Sequence, residues 1–189
     1  MIRKKIKRSY RISKYVLYKE TLVDYKEQFW SFVGAFIGIA CIAYLQTTFL
    51  GTENLIFLIG SFGASAVLVY GAIESPLAQP RNLIGGHIIS ALIGVIVAKL
   101  IPEIIWIQAP LAVASSIIAM QISKTLHPPG GATALIAVNG GENIKALGFN
   151  YILFPVASGA LILLICALIF NNITSHRTYP KQRFLRKKR

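Results

Sequence analysis

The chain has 189 residues, of which 54% are hydrophobic and 14% charged, with a mean hydropathy of +0.59. A water-soluble domain of this size cannot cover so apolar a surface, which places the chain in a membrane. The formal net charge of +13 does not point to nucleic acid, because nine of the twenty Lys and Arg precede Phe29 and seven follow Asn172. Charge concentrated in flanking tails is the positive-inside pattern against an anionic cytoplasmic leaflet.

Residues 1–28 carry no apolar core of the kind a cleavable signal needs, so they are expected to stay cytoplasmic. Within them Tyr15, Tyr18, Leu22, Tyr25 and Phe29 recur at three-and-four spacing, with Lys14, Lys19, Asp24 and Lys26 elsewhere around the wheel. That spacing predicts an amphipathic helix lying at the interface. A helix that docks a soluble partner is the other reading, and Glu20, Asp24 and Glu27 argue against a transit peptide.

Apolar segments follow over 29–50, 55–73, 83–101, 104–122 and 151–170. Each has about the 17 to 25 residues needed to cross a bilayer. Five spans conflict with two basic termini, which belong on one side. Letting 128–138 cross as a short broken helix restores the parity. Six crossings put Arg81 and Lys124 in cytoplasmic turns and Glu53, Glu103 and Glu142 outside, with Lys145 as the exception. The alternative is four full spans with 55–73 and the His127 segment re-entrant. A transmembrane domain over 29–170 and a basic cytoplasmic tail over 171–189 complete the division. Both termini are expected to face the cytoplasm of a bacterial plasma membrane. Cys41 and Cys166 lie in mid-segment without metal spacing and read as packing or lipid-facing residues.

The break itself is His127-Pro128-Pro129-Gly130-Gly131-Ala132-Thr133-Ala134. Two prolines remove backbone donors, and two glycines admit close approach. Gly63-Ala64-Ser65-Ala66-Val67-Leu68-Val69 matches the chemistry of Gly131-Ala132-Thr133-Ala134-Leu135-Ile136-Ala137 at an offset of 68 residues. The same offset pairs Glu74 with Glu142, Asn82 with Asn150 and Ser90 with Ser158. The pattern predicts an all-α, polytopic protein built from two inverted three-helix repeats, about 29–101 and 102–170, with a broken middle helix in each.

Helix N-termini leave N–H groups unpaired and attract anions without a lysine. The candidate binding set is therefore Ser61, Gly63 and Ser65 from one repeat and His127, Pro129, Gly130, Gly131 and Thr133 from the other. A packing kink made of small residues explains the same spacing. His127 reads either as a proton-bearing group or as a cap, and His87 raises the same question. Arg81 and Lys124 read as anion or proton relays at the mouth, or as plain topology charges. No carboxylate orients a histidine, no nucleophile elbow is present, and no metal or cofactor spacing occurs, so an enzyme is not expected.

The stretches Gly60-Ser61-Phe62-Gly63-Ala64-Ser65-Ala66, Ser75-Pro76-Leu77-Ala78-Gln79-Pro80-Arg81-Asn82 with Gly85-Gly86-His87, and His127 to Ala134 resemble the HPP family of integral membrane proteins. The resemblance covers roughly 29–170. It implies a membrane transporter or channel for a small monovalent inorganic anion, nitrite first, since plant and cyanobacterial relatives are associated with nitrite transport. The family is commonly described with four transmembrane segments, which keeps the re-entrant alternative open. Some relatives add a C-terminal pair of cystathionine-β-synthase-type domains, and regulation of that kind is not expected here. The competing function is a structural or signalling membrane protein whose basic tails bind lipid or a partner. Assembly of several copies is left open.

Overall fold

The computed structural model describes residues 24–50 and 59–181. The predicted interfacial helix falls mostly on residues before 24 and lies outside the described residues. What is described is helical, with no strand among the described residues.

Helix α1 (Tyr25–Leu45) runs on through a wider, π-type turn (Gln46–Leu50). It is followed by α2 (Gly60–Gly71), a 3₁₀ turn (Pro76–Ala78), α3 (Pro80–Leu100), α4 (Ile105–Ile122), α5 (Pro129–Asn139) and α6 (Gly141–Leu147). A kinked segment (Ile152–Ala157) leads into α7 (Ser158–Phe170). Four stretches are long and apolar enough to cross a membrane: Tyr25–Phe49, Pro80–Leu100, Ile105–Ile122 and Ile152–Phe170. The two segments singled out as broken are shorter. At 12 and 11 residues, α2 and α5 extend only about 18 and 16 Å, against a hydrocarbon core of about 30 Å.

Proline and cap chemistry sets the starts. Pro80 and Pro129 occupy first-turn positions, where a missing N–H removes no helical bond. Lys124 closes α4 with φ +57°, while the Thr125 N–H bonds the Met120 carbonyl at 2.9 Å and its own N–H bonds Gln121 at 3.1 Å. This is a Schellman ending built on a lysine where glycine is usual.

The helix ends fall into two sets. On one face, Arg177 Nη2 donates to the Tyr70 carbonyl (2.7 Å), Asn171 to Val69 (3.0 Å), Tyr179 OH to Ala78 (2.7 Å), Arg81 to Ser123 (2.8 Å) and Asn82 to Leu126 (2.7 Å). Glu27 at the start of α1 meets His176 and Arg177 there. On the other face, Lys145 pairs with Glu103, and Gln108 donates to the Ile101 carbonyl at 2.7 Å. Residues 171–181 are thus a strap folded against the bundle. Burial holds the Arg177 guanidinium below its usual range, with the Glu27 carboxylate acting in the opposite sense. The Tyr179 phenol is likewise buried and raised above its ordinary value.

Close packing rests on small residues, as membrane helices require. A Cβ at Gly34 would come within 2.7 Å of the Tyr70 ring, which crosses α1 there and donates its hydroxyl to the Leu163 carbonyl at 3.0 Å. Between α3 and α5, a Cβ at Gly94 would lie 2.7 Å from both the Ala134 carbonyl oxygen and the Ala137 Cβ. Cys166 is buried and Cys41 partly so, and both are free thiols.

Candidate functional site

Helix α3 enters from the strap face, and His87 stands seven residues after Pro80, about 10 Å along the axis. Ser65 stands six residues before Gly71, the end of α2 at that same face, so the two side chains arrive at one depth. His127 reaches this level because the chain between α4 and α5 dips inward before turning helical. Gly86 makes the approach possible: a Cβ there would strike His127 and come within 2.8 Å of the Thr125 carbonyl oxygen.

The result is a continuous buried polar chain. His127 Nδ1 donates to the Leu77 carbonyl at 2.9 Å, and His127 Nε2 lies 2.9 Å from Ser65 Oγ. Ser65 Oγ lies 2.7 Å from His87 Nε2, and His87 Nδ1 lies 2.7 Å from Thr133 Oγ1. His87, His127, Ser65 and Thr133 are all fully buried. The ring centroids of the histidines are 5.0 Å apart, and Phe62 packs edge-on against His87 at 5.5 Å. Tyr151 OH donates to the Thr133 carbonyl at 3.1 Å.

A carbonyl only accepts, so Leu77 assigns the tautomers. With both rings neutral, His127 carries its proton on Nδ1 and its Nε2 accepts from the Ser65 hydroxyl. Ser65 has no second proton, so His87 Nε2–H donates to Ser65. His87 Nδ1 then accepts from the Thr133 hydroxyl. One orientation satisfies the whole chain.

Two hydroxyls beside it have no partner among the described residues: Ser61 Oγ and Ser90 Oγ are buried and unbonded. Ser61 precedes Ser65 by one turn of α2, and Ser90 follows His87 by one turn of α3. The two helices meet the strap face with opposite ends, so both spare hydroxyls lie on the deeper side of the chain. Ser90 Oγ also abuts α5, since a Cβ at Gly130 would come within 2.6 Å of it and 2.9 Å of Met120 Sδ. An unmade buried hydrogen bond costs about 1–3 kcal/mol.

From the opposite face a cavity of about 100 Å³ leads toward Tyr151, lined also by Lys99, Glu103, Gln108 and Lys145. A shallower apolar groove of about 340 Å³ runs between α2 and α5 past Leu68, Pro128 and Pro129. It carries no charged side chain.

The sequence-derived set divides. Ser65, His87, His127 and Thr133 meet in one chain, and Ser61 stands next to it. The Gly130 N–H bonds the His127 carbonyl at 2.8 Å and the Gly131 N–H bonds Pro128 at 3.0 Å. The expected free donors after the prolines are therefore already engaged in tight turns. Gly63 and Gly131 have room for a Cβ, with nothing within 4 Å at Gly63 and only Val113 at 3.8 Å beside Gly131. Pro129 is buried at the start of α5, where it sets the backbone. Arg81 clamps the Ser123 carbonyl and Lys124 caps α4, so both are positioned at the strap face and outside the chain. Sequence reasoning missed Ser90, Tyr151 and the Leu77 carbonyl. Ser90 was legible in principle, one turn after His87 on the same face. No metal-holding cluster of His, Cys, Asp or Glu occurs among the described residues.

A helical membrane domain with a buried histidine pair between two short helices is the class the fold and site define. The HPP transmembrane-region model matches residues 20–180, and the chain belongs to the HPP family. It is 48% identical over 163 residues to a transmembrane protein of Dictyostelium discoideum, covering 83% of this chain and 51% of that protein. A second Dictyostelium discoideum transmembrane protein is 44% identical over 160 residues, covering 83% and 56%. The chain thus spans about half the length of these curated relatives. No solved structure matches it.

Proposed function

We propose that this chain carries a small monovalent anion across the membrane, with nitrite the first substrate to test. The observation that carries the reading is the buried His127–Ser65–His87–Thr133 chain with two spare hydroxyls beside it. A network that served packing alone would satisfy its own donors. Ser61 and Ser90 keep theirs for a ligand that accepts. A planar monovalent anion suits hydroxyl donors without arginine, because a multivalent one would call for guanidinium partners and would be held too firmly to leave.

At the cavity mouth Lys145 is paired with Glu103, so Lys99 supplies the net positive charge that raises the local concentration of anions and opposes the entry of cations. The anion then meets Tyr151 and Thr133 before the histidine pair. In this reading the chain passes the membrane six times, with α2 and α5 as half-helices that each make up part of one passage, and both termini are cytoplasmic, on the side of the strap. Two inverted units would explain why Ser65 and Thr133, 68 residues apart, bond the two nitrogens of one ring.

The test is nitrite uptake into liposomes that contain the purified full chain. Uptake above protein-free vesicles is expected, and it should fall at least about tenfold in the Ser61→Ala, Ser90→Ala double variant, a loss equal to the removal of one good hydrogen bond. Uptake equal to protein-free vesicles overturns the reading.

A further inference from the structure

The buried chain has a second complete hydrogen-bond pattern, reached by adding one proton. A proton that reaches the Thr133 hydroxyl is taken up there as that hydroxyl passes its own to His87 Nδ1. The His87 Nε2 proton moves to Ser65 Oγ while the Ser65 proton moves to His127 Nε2. His127 is then an imidazolium that donates to both the Leu77 carbonyl and Ser65 Oγ, at the 2.9 Å separations already present. Ser65 now donates to His87 Nε2, and His87 Nδ1–H donates to Thr133 Oγ1. The Thr133 hydroxyl turns to the Pro129 carbonyl, 3.4 Å away. Every donor has an acceptor before and after, no heavy atom need move, and only N–H and O–H bonds are exchanged.

We infer that this chain takes up one proton with each anion, so that transport is anion–proton symport; the inference rests on the transport reading above. A net charge is costly in this interior whichever partner brings it. An anion at Ser61 and Ser90 beside a protonated pair cancels that charge, and each therefore raises the occupancy of the other by the same factor. Among the described residues, nothing else on the surrounding elements supplies the counter-charge. From α2 comes Tyr70, engaged with Leu163; from the segment before α7 comes Tyr151, engaged with Thr133; α7 brings the Cys166 thiol. The neighbour contributed by α4 is Met120, which is neutral. Arg81 and Lys124 stay at the exposed strap face, and among the described residues no lysine, arginine or carboxylate is a hydrogen-bond partner of the chain.

The experiment uses liposomes containing the full chain and an internal pH dye, with nitrite as probe and initial rates corrected for the nitrous acid leak of protein-free vesicles. An inward nitrite gradient is expected to acidify the interior in step with nitrite entry. An interior one pH unit more alkaline should sustain uptake against an outward gradient of up to about tenfold, and a potassium–valinomycin potential of either sign should leave the rate unchanged. His127→Gln, which keeps an N–H for Leu77 but takes no proton, is expected to lose the response to the pH gradient. Nitrite entry without acidification, following the membrane potential, overturns the symport inference and leaves the transport reading standing. Absence of nitrite entry overturns both. The dye and potential measurements on the unmodified chain decide the matter even if the variant does not fold.

Discussion

At the scale of single residues, glycines and serines with similar sequence surroundings have opposite consequences because their neighbours differ. Gly86 faces His127 and the Thr125 carbonyl without room for a methyl group, so Gly86→Ala should lower stability by about 1–3 kcal/mol, as overpacking does. Gly63→Ala meets open space and, at a helical position, should stabilise by up to about 1 kcal/mol. Thermal unfolding of the purified protein in detergent checks both, and equal effects would contradict the packing described. The spare hydroxyl of Ser90 gives a sharper contrast. Ser90→Ala deletes a buried group with no partner, so it should raise stability by about 1 kcal/mol while lowering nitrite uptake. A variant that loses stability would show that the hydroxyl is bonded within the fold.

At the scale of elements, the ends of helices do work that their composition conceals. Lys124 looked like a charge at a mouth, yet its left-handed backbone closes α4. Lys124→Gly fits that conformation better and should stabilise by up to about 1 kcal/mol; a fall in melting temperature would refute the capping role. The strap over 171–181 holds the 3₁₀ turn whose Leu77 carbonyl anchors His127, because Tyr179 OH bonds the adjacent Ala78 carbonyl. Tyr179→Phe leaves that carbonyl without its donor and should cost about 1–3 kcal/mol. Faster hydrogen exchange around 75–79 is the local sign to look for.

At the scale of the whole molecule, the two sets of helix ends define two faces, and their relation to the membrane is testable. In a background with Cys41→Ala and Cys166→Ala, cysteines placed at Glu74 and Lys181 should label from one side, and a cysteine at Glu142 from the other. Labelling of positions 74 and 142 from one side would end the six-passage reading. The anion path proposed above needs this arrangement, since the cavity with Lys99 and Lys145 opens opposite the strap.

Much of the fold was legible because lipid leaves few choices. Long apolar runs must become helices to satisfy their backbone, so α1, α3, α4 and the 152–170 stretch could be read to within four residues at each end from hydropathy and proline alone. Proline and glycine likewise announced that the His127 segment breaks, and the offset of 68 residues drew attention to Ser65 and Thr133 together. By itself the sequence thus determined the class, the family resemblance, the long spans and most of the polar residues that meet. Only the tertiary structure decided how they meet. The side chain of a residue has a neighbour only after helices pack, so nothing in the linear order placed the Leu77 carbonyl on His127, left Ser90 without a partner or used the Gly130 and Gly131 N–H groups in turns. Hydropathy reports the cost of leaving water, which is a property of each segment. Hydrogen-bond direction is a property of pairs, and the pairs exist only in three dimensions.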